Sequence, residues 1–305
     1  MDINRANMDA FFETLNTRFT EGFQGGRQTV IQNGVCMIVP SSGAATRHGW
    51  LNQVPGMREW LGDRIVNNIE TNKLVVTNRD WEETLEVARN DIEDDEYGLY
   101  APLAQAMGDA AGSYPDEVAV TRLIAGTSDT WGGDGAAFFG TDRTYGANTI
   151  ANYVTSTFDA EGTALNTAYQ TMRAYKGHNG RPLGVIVDKL LHGPTLRTRV
   201  HNVLKSEYQY IADIRVNNPN LNLVEPVESP LLVGDYQYYW FLLAHMGPIR
   251  GILFQERKVP EMQNACAGID SEYVFNTNKF KYGAFARGEV VLALPHLVYA
   301  GLASS

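Results

Sequence analysis

Residues 90–126 read NDIEDDEYGLYAPLAQAMGDAAGSYPDEVAVTRLIAG, and this stretch decides the architecture. Leu99, Leu103, Met107, Ala111, Tyr114 and Val118 recur four, four, four, three and four residues apart, which marks one face of a helix. The carboxylates from Asp91 to Glu96 precede the pattern, where they complement the positive end of a helix dipole. We expect a helix that starts between Glu96 and Pro102, tolerates a proline in its first turn, and ends near Ile124, before Gly126. Pro115 falls inside it and is expected to kink it, by removing one hydrogen bond and crowding the preceding turn. A helix of this length acts as a strut.

The segments upstream are too thin to bury themselves. Phe11, Leu15, Phe19 and Phe23 predict a first helix that stops at Gly25-Gly26. Val35–Val39 predicts a short strand ended by Pro40-Ser41-Ser42-Gly43. One helix and one strand before a break look like an arm that must pack on something else. Lys73–Thr77 and Glu83–Arg89 read as two strands around an Asn78-Arg79-Asp80 turn, with Val75, Val76, Leu85 and Val87 at apolar positions. The whole of Trp50–Arg89 then reads as a long two-stranded excursion with little core of its own. An isolated hairpin is marginal in water, so this one should lie on a partner.

Downstream, Gly126–Gly146 is rich in glycine and aspartate and reads as irregular. Asp159 is placed to cap a helix through Lys176, Val185–Val187 forms a short buried strand, and Pro194 to about Tyr210 a second helix. Helix, strand and helix around a small sheet make an α/β layer. Further strands are expected near Leu221–Val224, Tyr236–Ala244, Ile249–Gln255 and Val290–Leu294.

Composition limits the function. The 305 residues are 44% apolar and 20% charged, an ordinary globular balance that excludes a disordered chain. No apolar run is long enough to span a bilayer, and the opening MDINRANMDAFF lacks signal-peptide order, so a cytoplasmic chain is expected. Cys36 and Cys266 suggest neither a disulfide framework nor a zinc site. The net charge is −10, and −8 of it lies between Asp80 and Glu96. A protein built to grip DNA shows the opposite, a basic stripe that releases counterions from phosphate. An acidic strip suits a basic patch on another protein.

The chemical motifs are weak. The loop Trp131-Gly132-Gly133-Asp134-Gly135 lacks the spacing of a phosphate cradle and reads as a turn. Asp91, Glu93 and Asp95 imitate the start of a calcium loop without its sixth-position glycine or twelfth-position glutamate. The six histidines show no tight ligand spacing, and no serine sits in a nucleophile elbow. We therefore expect no catalytic residue, no metal and no cofactor.

The opening MDINRANMDAFFETLNTRFTEGF, Val39–Ser42, Gly49–Leu51, Arg58–Arg64, Asn90–Gly98, the Pro115-Asp116-Glu117 step, Gln255–Arg257, Val274-Phe275 and Tyr282–Gly288 are distinctive together. They resemble the major head subunits (major capsid proteins) of Mu-like bacteriophages and prophages, with a sugar-binding hydrolase or another non-capsid virion protein as the alternative. Phe138–Asp142 is similar too, but is followed by Arg143-Thr144 where the family has His-Pro. The resemblance implies an α+β chain with the Hong Kong 97 phage-type capsid fold. Its parts would be an N-arm (1–48), an E-loop (49–92), a P-domain with a spine helix (93–150), an A-domain (151–255) and a P-domain return (256–305). It also implies pentamers and hexamers, a scaffolding protein during assembly, a portal at one vertex, and assembly in the bacterial host cytoplasm into a virion capsid. It leaves a decoration protein open and licenses no specific nucleic-acid binding and no membrane. The residues expected at a neighbouring subunit are Trp50, Arg58, Trp60, Arg64, Trp81, Val87, Arg89, Glu93 and Asp94.

Overall fold

A computed structural model describes residues 5–27, 34–51, 71–94, 97–131, 134–145, 148–177, 180–211, 214–264 and 271–303. Helix α1 (Arg5–Gly26) and strand β1 (Cys36–Pro40) come first, then β2 (Ala45–Leu51), β3 (Thr71–Thr77) and β4 (Arg79–Ala88). The one-turn α2 (Arg89–Glu93) leads into α3 (Tyr97–Ile124). Short strands β5 (Arg143–Tyr145), β6 (Asn148–Ile150) and β7 (Tyr153–Val154) precede α4 (Thr163–Arg173), β8 (Ile186–His192) and α5 (Arg197–Lys205). Next come β9 (Tyr208–Ile211), β10 (Ile214–Asn217), β11 (Glu225–Glu228), β12 (Trp240–Met246) and β13 (Ile249–Arg250). The chain closes with β14 (Ile252–Asn264), α6 (Glu272–Thr277), β15 (Lys279–Leu292) and β16 (Val298–Gly301).

Two larger sheets organise these elements. The first runs β1-β14-β15-β4, and the second runs β11-β8-β12-β16-β7 with β13 added to β12. Along β15 every second residue faces inward (Phe280, Tyr282, Ala284, Ala286), so the first sheet buries one face and wets the other. The second sheet is covered on both faces. Leu190, Trp240 and Leu242 meet Leu165, Met172, Val200 and Val203 of α4 and α5. On the opposite face Leu191, Phe241 and Leu243 meet Ala119, Val120 and Leu123 of α3 together with Ile252 and Phe254 of β14.

Helix α3 joins the two regions. Its 28 residues span about 42 Å at 1.5 Å per residue. The early turn packs Ala104 and Met107 into a third cluster with Phe11, Leu15, Phe19, Val87 and Tyr282, and the last turn reaches the second sheet. It continues as one helix through Pro102 and Pro115. Pro102 lies beyond the first turn, because the helix begins at Tyr97.

Several expectations are corrected here. β3 and β4 do not pair with each other. β3 pairs with β2, whereas β4 runs antiparallel to β15 from Arg79↔Gly288 to Ala88↔Lys279. The outgoing excursion is therefore β2–β3, and β4 belongs to the body. The expected arm finds its packing partner within the same chain, since α1 lies on α3 and β1 pairs in parallel with β14. The 151–255 and 256–305 division crosses the second sheet, because β16 pairs with β12 and β7. The helix expected to Tyr210 stops at Lys205, where the Asn218 side chain donates to the Val203 and Ser206 carbonyls at 2.8 and 2.7 Å. The strand expected at Leu221–Val224 forms one step later as β11, and Val290–Leu294 is mostly the end of the longer β15. The Asp159 cap is as expected, with its carboxylate accepting from the Thr163 and Ala164 amides at 2.8 and 2.9 Å, although the helix ends at Arg173.

Candidate assembly surface

The base of the β2–β3 hairpin is pinned by one buried amide. Gln255 Nε2 donates to the Val76 carbonyl (3.3 Å) and to Asn78 Oδ1 (2.7 Å), while its Oε1 lies 2.8 Å from His48 Nε2. Leu74 and Val76 point into the core, and Val75 between them is 52% exposed. Alternation thus fastens one face of the hairpin and offers the other. Trp50 lies on β2 opposite Asn72. Arg58, Trp60 and Arg64 fall outside the described residues.

Beyond Asn78 the chain crosses to the first sheet through a second anchor. Glu289, almost wholly buried, meets Arg79 Nε at 2.8 Å and Arg122 at 3.3 Å. That carboxylate ties the start of β4, the last turn of α3 and β15 together. Cys36 is buried nearby, and burial pushes its thiol well above the ordinary range, so it is held in the unreactive protonated form.

β4 is an edge strand, with one side paired to β15 and the other open. Charged side chains on such an edge guard it against uncontrolled pairing. Alternation places Asp80, Glu82 and Glu86 on one face of the strand and Trp81, Glu83, Leu85 and Val87 on the other. Part of the acidic strip is neutralised within the chain. Asp80 pairs with Arg287 at 2.5 Å, and Glu86 pairs with Lys279 and Lys281 at 3.0 and 3.2 Å. The Tyr273 hydroxyl and those two ammonium groups hold the Glu86 carboxyl down at about 2. Among the described residues, no base lies within ion-pair distance of Glu82, Glu83 or Glu117.

One of the residues expected at a neighbour is therefore reassigned. Val87 is completely buried in the third core cluster, so it has no surface to offer. Trp81 is half-buried against its own chain. Its Nε1 donates to the Gly288 carbonyl at 3.1 Å and its ring lies 5.2 Å from that of Tyr114. Arg89 begins α2, and its backbone N–H donates to the Asn278 carbonyl at 2.9 Å. Asp94 is exposed, and Glu93 closes α2.

Sequence reasoning missed the cleft beside Trp81. It has a volume of about 240 Å³ and lies between α3 and the β4 side of the first sheet, lined by Trp81, Tyr114, Glu83 and Glu117. Only the pairing of β4 with β15 brings these residues together. Trp131 and Asp134 serve a structural contact: Arg143 stacks over Trp131, 4.9 Å from the ring centre, and pairs with Asp134. Among the described residues no group of three or more metal-ligating side chains converges.

Comparison with known proteins agrees with this architecture. Over 114 residues the chain is 40% identical to the Mu-like prophage FluMu major head subunit of Haemophilus influenzae, a match covering 37% of each chain. It is 26% identical over 280 residues to the major capsid protein of Escherichia phage Mu, covering 91% of this chain and 69% of that one. Among solved structures, a chain of the bacteriophage JBD30 procapsid superposes with a TM-score of 0.59 at 26% identity, over 98% of this chain and 75% of that one. The fold is α+β, of the Hong Kong 97 phage type. With the model of Mu-like prophage major head subunit gpT matching residues 8–164 and 227–304, most of its length, the chain belongs to that family of tailed-phage major capsid proteins.

Proposed function

We propose that this chain builds the icosahedral shell of a tailed-phage head, associating as pentamers and hexamers around packaged double-stranded DNA. The observation that carries the reading is the superposition of 98% of the chain on a procapsid subunit. The hairpin supports it: β2–β3 is fastened through Gln255 and, on one face, through buried Leu74 and Val76, while Val75 between them is an exposed apolar position. The second sheet, with α4 and α5, would lie toward the capsomer axis, and the first sheet and α3 toward the periphery. The role is structural and not catalytic. Assembly takes place in the bacterial cytoplasm on a scaffolding protein, with a portal at one vertex. Negative-stain micrographs of the purified chain, alone and with its scaffolding protein, test this. Capsomers, tubes or shells are expected, and a discrete small particle under both conditions would overturn the proposal.

A further inference from the structure

We propose that the cleft between α3 and the β4 side of the first sheet receives an arginine or lysine side chain from a second copy of this chain. The inference rests on the shell-forming reading above and names a contact within it.

The chemistry of the walls selects a cation. Trp81 and Tyr114 stand 5.2 Å apart at an interplanar angle of 37° and present ring surface to the cleft. An aromatic ring within about 6 Å of a guanidinium or ammonium attracts it, more strongly for Trp than for Phe or Tyr. Glu83 on the sheet side and Glu117 on the helix side supply carboxylates, both exposed. Ala111 and Ala284 leave the floor small, so the space of about 240 Å³ remains open for a long side chain. Such a side chain lays its methylene stem on apolar wall while its charged head meets the carboxylates.

The chain's own bases in this sheet are committed elsewhere. Arg79 pairs with Glu289, Arg287 with Asp80, Lys279 and Lys281 with Glu86, and Lys258 with Glu261, while Arg257 on β14 donates to the Ser41 carbonyl at 3.0 Å. Among the described residues, no base of the same chain pairs with Glu83 or Glu117, so the proposed cation comes from another copy. A second copy can supply it, because Arg47, Arg173 and Arg199 are exposed and have no carboxylate partner among the described residues. The contact is heterologous, cleft to base, and a heterologous contact whose rotation closes builds the rings that capsomers require. Edge-to-edge pairing of two β4 strands would instead bring Glu82 and Glu83 against their own copies.

The test uses Ala110→Cys, which places a thiol at the exposed mouth of the cleft. Maleimide labelling is read at the residue-110 peptide by mass spectrometry, in dissociated subunits and in purified assemblies. We expect labelling in assemblies to be at least tenfold slower. We also expect Glu83→Gln/Glu117→Gln to raise the concentration needed for assembly several-fold at low salt, with the subunit's melting temperature unchanged. The exposed Glu161→Gln, on another element, should do neither. Equal labelling in subunits and assemblies overturns the inference. So does protection that appears only when a different protein is added, since the occupant is then not this chain. If the chain forms no assemblies at all, the micrographs show that the shell reading has failed and the inference falls with it. If assemblies form and the thiol stays reactive, only the inference falls.

Discussion

Glycine lets α1 and α3 touch backbone to backbone, and one added methyl should separate them. A Cβ on Gly108 would lie 2.0 Å from the Phe19 carbonyl oxygen, and one on Gly22 would lie 1.9 Å from that of Gln105. Both neighbours are main-chain atoms in the middle of helices, so no side chain can swing aside. Restoring an ordinary contact of about 3.4 Å moves the helix axes apart by more than an ångström. A radial gap of about 0.5–1 Å already forfeits a quarter to a half of a dispersion well. The face that lifts carries Met8, Phe11, Leu15 and Phe19, all buried and each worth about 1.5–3 kcal/mol. Losing a quarter of that total destabilises by about 1.5–3 kcal/mol, and the better helix propensity of alanine returns at most about 1. We therefore expect Gly108→Ala to destabilise the unassembled subunit by about 1–2 kcal/mol. At 2–4 °C per kcal/mol, its melting temperature drops by roughly 2–8 °C. Gly25→Ala is the internal control, because its Cβ would meet only the Asp109 carboxylate at 3.8 Å. It should be neutral or stabilising by about 0.5 kcal/mol. Thermal melts followed by circular dichroism at equal protein concentration check both variants. A Gly108→Ala subunit as stable as Gly25→Ala would refute the argument that this interface is set by main-chain contact.

Three further outcomes follow from buried polar groups. Gln255→Leu leaves Asn78 and His48 without their buried partner and should cost about 1–3 kcal/mol, with faster amide exchange across residues 71–78 as the local signature. Glu289→Ala removes the buried carboxylate that Arg79 and Arg122 share, but Arg79 is largely exposed and Arg122 keeps Asp129, so it should destabilise by only about 1 kcal/mol in a urea titration; a loss of about 3 or more would show that the two guanidiniums depend on this one carboxylate. Burial lowers the His296 imidazole from its ordinary 6.5 to about 4, so between those values the unfolded chain binds the extra proton. Stability should fall as pH drops through that window, by on the order of 3 kcal/mol in all, and His296→Asn should flatten the slope.

The helices were legible because their signal is local. Phe11, Leu15 and Phe19 announce α1 at four-residue spacing, and the same three side chains fill the third core cluster. The Asp159 cap needs only the residues that follow it. Sheet membership is a different kind of information. β4 finds its partner about 200 residues later, and β15 buries Ala284 and Ala286 at positions whose side chains are too small to mark a strand. β11 carries Pro226, which confines it to the edge of its sheet and obscures it in a scan for apolar runs. The helix-to-strand change after Lys205 is made by the Asn218 amide thirteen residues away, a contact with no trace in the local pattern. The Gly22–Gly26 and Gly108–Gly112 spacings were in plain view, but spacing alone does not say that the two pairs face each other.

The acidic strip shows the same division. Its net charge is a sum along the chain, and a sum is blind to the two-residue alternation of a strand. Once β4 pairs with β15, Asp80 and Glu86 face Arg287, Lys279 and Lys281 and are neutralised, so they no longer call for a neighbour. Glu83, one residue out of step, turns to the side where Trp81 and Tyr114 stand, and shares the cleft with Glu117, neither paired with a base among the described residues. A one-residue slip in the β4–β15 register would exchange those two sets, burying the charges and exposing Val87. The same register therefore does two things. It excludes Val87 from contact with a neighbour, and it leaves an uncompensated acidic cleft for one.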